Sequence, residues 1–146
     1  MPLAMSRRIE PLQQLAKSRE DQAAGRLADA QRKLAEREAR LRELTVYCSE
    51  YALPERVTST QLLLNARMFA SRLHEAAAFQ AQLTQQAQRE LEAERGRWLQ
   101  RHREVGTLEQ LADVYREREA QIDNRRGQRA LDEHALRQHR AAGERS

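Results

Sequence analysis

Starting at Leu12, apolar or small side chains recur at Leu12, Ala16, Ala23, Leu27, Ala30, Leu34, Leu41, Leu44, Cys48 and Tyr51, in steps of three, four and seven. This is a heptad seam: it lays a narrow apolar stripe along one side of a helix, and the stripe requires a facing helix to cover it. Pro11 suits the first turn of such a helix, having no N–H to lose and a preset φ, and Pro54 marks its end. Arg37 at one core position and Ala at several others mean that each turn buries little area.

Composition decides what the stripe belongs to. Ile, Val and Phe together number eight, Gly five and Pro three, and no Pro follows Pro54. A β-rich fold or a many-looped α/β enzyme therefore lacks the residues it needs. Leu, Ile, Val and Phe fill only 27 of 146 positions, a level also found in disordered chains. Disorder at that level goes with a large net charge, whereas 26 basic and 22 acidic side chains leave +4 here. Periodicity settles the choice in favour of the coiled coil.

After Pro54 a second helix begins with agreeing local signals. Thr58 fits the N-cap and Gln61 completes a capping box, while Val57 and Leu62 have the spacing of a hydrophobic staple. One stripe then carries Leu62, Ala66, Phe69, Leu73, Ala76, Gln80, Leu83, Ala87, Leu91, Glu94, Trp98, Arg101, Val105, Leu108, Ala112, Tyr115 and Ile122. Two steps of four fall together at Leu83–Ala87–Leu91, which predicts a stutter that locally unwinds the supercoil.

The expected fold is all-α: a single domain, 1–146, with two long helices in an antiparallel coiled-coil hairpin. Helix 1 spans about 6–53, the turn about 54–58 and helix 2 about 59–140. Folding about residue 56 places Leu44 near Phe69, Leu34 near Ala78, Leu27 near Gln85, and Trp98 against Leu12 and Leu15. The arms are unequal, so the segment after about residue 106 is left without a partner from its own chain. Leu108, Leu111, Tyr115, Ile122, Leu131 and Leu136 then await another protein or a second copy.

The charge is spread thinly along the chain with no basic block, and few aromatics could stack on bases, which argues against nucleic-acid binding. His74, His102, His134 and His139 lack the i, i+4 spacing of a helical metal site, and the adjacent Asp132 and Glu133 diverge on a helix. No glycine-rich phosphate loop and no nucleophile–histidine–acid set occurs. The expectation is a protein with no enzymatic activity, no metal and no cofactor. The lone Cys48 indicates a reducing compartment, and no apolar run reaches the length of a membrane span, so a cytoplasmic location without membrane insertion is expected.

Tyr47 and Tyr51 are four residues apart on one helical face, with Phe69 expected across the hairpin beside them. They either cap the seam next to the turn or form a partner-binding surface. Taken with the Tyr47–Tyr51 segment before the turn, Phe69 to Ala76 after it, Trp98 with flanking Arg and the run from Asn124 to Glu133, the sequence resembles the FliJ family. Members are small coiled-coil components of the bacterial flagellar type III export apparatus.

The resemblance implies a stalk-like hairpin similar to the central stalk subunit of rotary ATP synthases. Its chain ends would enter the ring of the export ATPase FliI and promote its activity. The hairpin would contact the cytoplasmic domain of the export gate FlhA, and export chaperones would be recycled. Carried over position by position, the gate-binding surface is Leu44, Tyr47, Tyr51, Phe69, Leu73 and Ala76, with two further positions on Arg40 and Gln80, where the family pattern has Gln and His. The ATPase-facing region is Leu12, Leu15, Arg125, Arg126, Arg129, Asp132 and Glu133. Association with the membrane export complex would be peripheral, at its cytoplasmic face. The alternatives are a stalk protein of a virulence type III secretion system and a client-holding coiled-coil chaperone.

Overall fold

A computed structural model describes residues 4–51 and 59–144, and these form two α-helices: α1, Met5–Glu50, and α2, Thr60–Glu144. No strand occurs among the described residues. The two helices pack antiparallel, and α2 is much the longer. Two compact units are distinguished along them: Arg19–Arg101, and Met1–Ser18 with His102–Ser146.

The sequence period is obeyed more strictly than expected. On α1 the seam runs Ser6, Ile9, Gln13, Ala16, Glu20, Ala23, Leu27, Ala30, Leu34, Arg37, Leu41, Leu44 and Cys48, all buried or half-buried, with Glu38 and Ala39 half-buried beside it. Steps of three and four alternate along this whole series. On α2 the seam is Leu63, Ala66, Ala70, Leu73, Ala77, Gln80, Thr84, Ala87, Leu91, Glu94, Trp98, Arg101, Val105, Leu108, Ala112, Tyr115 and Glu119, again with unbroken alternation, and Ala81, Leu83, Glu104 and Gly106 are half-buried beside it.

This corrects the expected stutter. Thr84 takes the seam position and Leu83 lies half-buried beside it, while Leu63, Ala70 and Ala77 face α1 where Leu62, Phe69 and Ala76 were expected. At two of these steps the smaller of two adjacent residues, Ala70 beside Phe69 and Thr84 beside Leu83, takes the seam and leaves the larger on the flank; at the other two, Leu62–Leu63 and Ala76–Ala77, the neighbours are identical and size gives no signal.

In the unit 19–101, Ala30, Leu34, Ala87 and Leu91 form the buried cluster, with Leu27 packed against it. Leu34 therefore meets Ala87 and Leu91, and neither it nor Leu27 takes the expected partner, Ala78 or Gln85. Lys33 Nζ bonds Glu90 Oε2 at 3.0 Å, and the Tyr51 ring meets Phe69 with centroids 5.3 Å apart. The register is thus displaced from a fold about residue 56. Tyr51, at the end of α1, is level with Phe69, so Thr60–Met68 runs on past the last turn of α1.

A polar layer marks this register. Gln80, 7% exposed, donates from Nε2 to the Arg37 carbonyl at 3.2 Å, and the Thr84 hydroxyl, which donates to the Gln80 carbonyl at 2.9 Å, lies 3.3 Å from the same Arg37 oxygen. Removing the Arg37 carbonyl from reach would leave the buried Gln80 amide unsatisfied, a penalty of about 1–3 kcal/mol.

In the other unit α1 begins six residues before Pro11, which lies inside the helix. Ile9, 4% exposed, and the pairing of Ser6 with Glu119 hold these extra turns. Ala112 is fully buried, and Leu108 and Tyr115 are half-buried. Pairing therefore continues to Glu119, and the bare part of α2 is 120–144, shorter than the segment after 106 that was expected. Every residue from 120 to 144 is exposed.

At the start of α2, Ser59 is the cap: its Oγ accepts the Leu62 amide at 3.2 Å and its carbonyl accepts the Leu63 amide at 3.2 Å. Thr58 and Val57, assigned to the capping box and the staple, lie outside the described residues.

Candidate functional site

The aromatic cluster forms where the sequence placed it. Tyr47 and Tyr51, one turn apart on α1, have ring centroids 6.5 Å apart and tilted by 57°. Phe69 on α2 meets Tyr51 edge-on at 85°, an arrangement worth about 0.5–1.5 kcal/mol beyond burial. All three rings remain about half exposed, at 44%, 53% and 48%. They cover the flank of the seam and still present an aromatic face to solvent.

Leu44 and Leu73 are half-buried seam residues, and Ala76 lies on the exposed flank. Arg40 pairs with Glu43 at 3.2 Å on the surface. Gln80 does not belong to the surface at all, since its amide is committed to the Arg37 carbonyl. Sequence reasoning left out Val46, 52% exposed, which lines a shallow apolar groove with Ala39, Arg42, Glu43 and Tyr47. Phe79, 62% exposed, was also left out. Both lie off the heptad positions, so their being large and apolar was the only signal.

The second set of candidate residues is not gathered at one place. Leu12 and Leu15, expected beneath Trp98, are instead 54% and 47% exposed, while Gln13 and Ala16 occupy the seam. With Ser6 opposite Glu119, Leu12 is level with about residue 113, roughly 18 Å along α2 from Arg125. Arg125, Arg126, Arg129, Asp132 and Glu133 all stand exposed on the bare helix.

Electrostatic features are local. Exposed pairs one turn apart, such as Arg116 with Asp113 and Arg32 with Asp29, add little stability. Glu94 occupies a seam position: Oε1 pairs with Arg97, while Oε2 is buried with no hydrogen-bond partner, beside a groove that Arg26 and Lys33 also line. Glu119 is held below the usual carboxylate range, chiefly by the Ser6 hydroxyl and then by the Ser6 amide, with burial opposing and Arg7 and Arg116 assisting. Among the described residues no cluster of three His, Cys, Asp or Glu side chains could hold a metal ion. No helix there is long and apolar enough to cross a membrane.

Two antiparallel helices, a half-exposed aromatic cluster and a bare helical extension define a coiled-coil hairpin protein whose distinctive groups all lie on its outer faces. The chain belongs to the FliJ family: the family model described as flagellar FliJ protein matches residues 5–144. It is accordingly a component of flagellar protein export, within type III protein transport, and its family is structural and non-catalytic. No curated protein and no solved structure matches the chain.

Proposed function

We propose that the chain is a non-enzymatic stalk of the flagellar export apparatus. In this role it binds and stimulates the export ATPase FliI, contacts the export gate FlhA and exchanges export chaperones at the cytoplasmic face of the membrane complex. The observation that carries the reading is the bare helix 120–144. Helices in proteins draw most of their stability from tertiary packing, which this exposed continuation of α2 lacks, so it gains stability by entering a protein environment that supplies the missing partner. Leu12 and Leu15 stand exposed on the paired part of the same unit, where a ring subunit gripping the extension can also reach.

Stimulation then follows by linkage: a stalk that binds the assembled ATPase better than its separate subunits shifts them towards the ring. The aromatic face of Tyr47, Tyr51 and Phe69, with Leu44, Leu73 and Ala76 beside it, is suited to gate binding, because exposed aromatic groups supply much contact area at low conformational cost. The test is ATP hydrolysis by the cognate ATPase with and without the purified chain. Stimulation by the full chain and none by a chain ending at Glu119 supports the reading; an unchanged rate with the full chain overturns it. The flagellar family match favours this over a virulence secretion system, and neighbouring genes discriminate the two.

A further inference from the structure

Charges that meet along the edge of a coil are normally complementary, and Lys33 on α1 with Glu90 on α2 obeys this. One heptad further along, the same two edge positions hold Arg26 and Arg97, so two guanidinium groups line one groove from opposite helices. Like charges set against each other at an edge cost stability. Arg97 is drawn aside to Glu94 Oε1 at 2.5 Å, and the other oxygen of that carboxylate is buried and makes no hydrogen bond. Arg26 is left without a carboxylate.

The groove continues as a cationic trough within the unit 19–101. Arg19, Gln22 and Arg26 of α1 line it with Arg97, Gln100 and Arg101 of α2, and Glu94 is the one acid among the lining residues. Arg19 and Arg26 are exposed and form no ion pair among the described residues. On the opposite side of the same span, α1 carries Asp21, Ala24 and Ala28, and α2 carries Glu92, Arg95 and Leu99. Positive charge is therefore confined to one edge. The linear sequence holds no basic block, and helix pairing creates one by bringing together arginines from distant parts of the chain.

We infer that this trough docks an acidic helix of a partner protein, whose Asp or Glu side chains seat between Arg26 and Arg97 and beside Arg19 and Arg101. A carboxylate placed between Arg26 and Arg97 bonds both and relieves their repulsion, so the free chain is preset for an anion. The spacing fits a helix. Arg19 and Arg26 are one heptad, about 10 Å, apart along α1, and Arg97 and Arg101 are about 6 Å apart along α2. Carboxylates recurring in steps of three, four and seven on one face of a helix laid along the groove have the same intervals. Gln22 and Gln100 offer amides to polar groups on that face. Glu94 and, beyond Arg26, Asp29 and Glu90 interrupt the positive field, which suits spaced carboxylates better than a continuous row of phosphates. The trough shares no residue with the aromatic cluster or the bare helix, so its docking role depends on neither.

The test is fluorescence anisotropy with the full chain and a labelled alanine-rich helical peptide of about 21 residues, carrying Glu in steps of three and four along one face. The expected result is saturable binding at low salt that weakens as salt is added. Arg19→Gln with Arg26→Gln should raise the dissociation constant at least about fivefold. Arg125→Gln with Arg126→Gln changes the net charge equally and should leave it unaltered. Arg19 and Arg26 are exposed and unpaired, so helicity by circular dichroism should persist. Charge reversal gives a second measurement: Arg19→Glu with Arg26→Glu should lose the Glu peptide and bind the matching peptide with Lys in place of Glu. Absence of saturable binding overturns the inference, as does equal weakening by the two Gln double variants, failure of charge reversal to exchange the peptides, or equally tight binding of a single-stranded oligonucleotide. The assay contains neither ATPase nor gate, so its outcome is separate from the stalk reading.

Discussion

The Glu119 carboxylate of α2 accepts the Ser6 hydroxyl at 2.6 Å and the Ser6 amide at 3.1 Å, and so caps the N-terminus of α1 from the other helix. Ala4, whose carbonyl accepts the Arg7 and Arg8 amides, has no side chain able to do this. The favourable placement of a carboxylate at a helix N-terminus adds to the hydrogen bonds. Because the folded carboxyl is held below its ordinary range, its contribution is complete above the unfolded value and is lost as pH falls through the folded one. The Ser6 amide resonance should therefore hold from neutral pH down through the ordinary carboxylate range and shift only below it. Glu119→Gln should abolish that titration and raise hydrogen exchange over the first two turns of α1.

Truncation distinguishes the paired part of α2 from the bare part. A chain ending at Glu119 should keep the thermal midpoint of the full chain, because 120–144 has no partner within it. A chain ending at residue 106 should lose protection along 5–18, since Ala112, Tyr115 and Glu119 go with it. Hydrogen exchange read by mass spectrometry resolves the two outcomes.

Leu34 and Leu91 are the largest side chains of the buried cluster, and Ala30 and Ala87 cannot move to fill a void beside them. Leu34→Ala or Leu91→Ala should cost about 2–4 kcal/mol in denaturant unfolding. Gln80→Ala, which removes the side-chain amide from the Arg37 carbonyl, should cost about 1 kcal/mol.

Gly96 and Gly106 are helical, and an added Cβ would meet nothing within 4 Å at either position. Gly96→Ala and Gly106→Ala should each stabilise the chain by about 0.5–1 kcal/mol, read as a higher thermal midpoint.

Tyr47→Ala with Phe69→Ala should weaken binding to the gate's cytoplasmic domain while helicity is retained, as both rings are about half exposed. Isothermal titration measures the first and circular dichroism the second; loss of helix would instead place the rings in the core.

The sequence by itself determined the fold class, the two helices and the aromatic cluster. The heptad period runs through Ala16, Ala23, Leu27, Ala30 and Leu34 in sequence and structure alike, and Tyr47 and Tyr51 share a face at any register. What only the tertiary structure decided was the register and the choice between adjacent residues at the seam. An Ala-rich stripe repeated every seven residues accepts several alignments at similar cost, and Leu62 or Leu63, Phe69 or Ala70, Leu83 or Thr84 satisfy the period almost equally. The observed register brings together groups that no local pattern marks as partners, namely Gln80 and the Arg37 carbonyl, Lys33 and Glu90, and Ser6 and Glu119. That register determines where pairing stops, and with it how much of α2 is left for another molecule to cover.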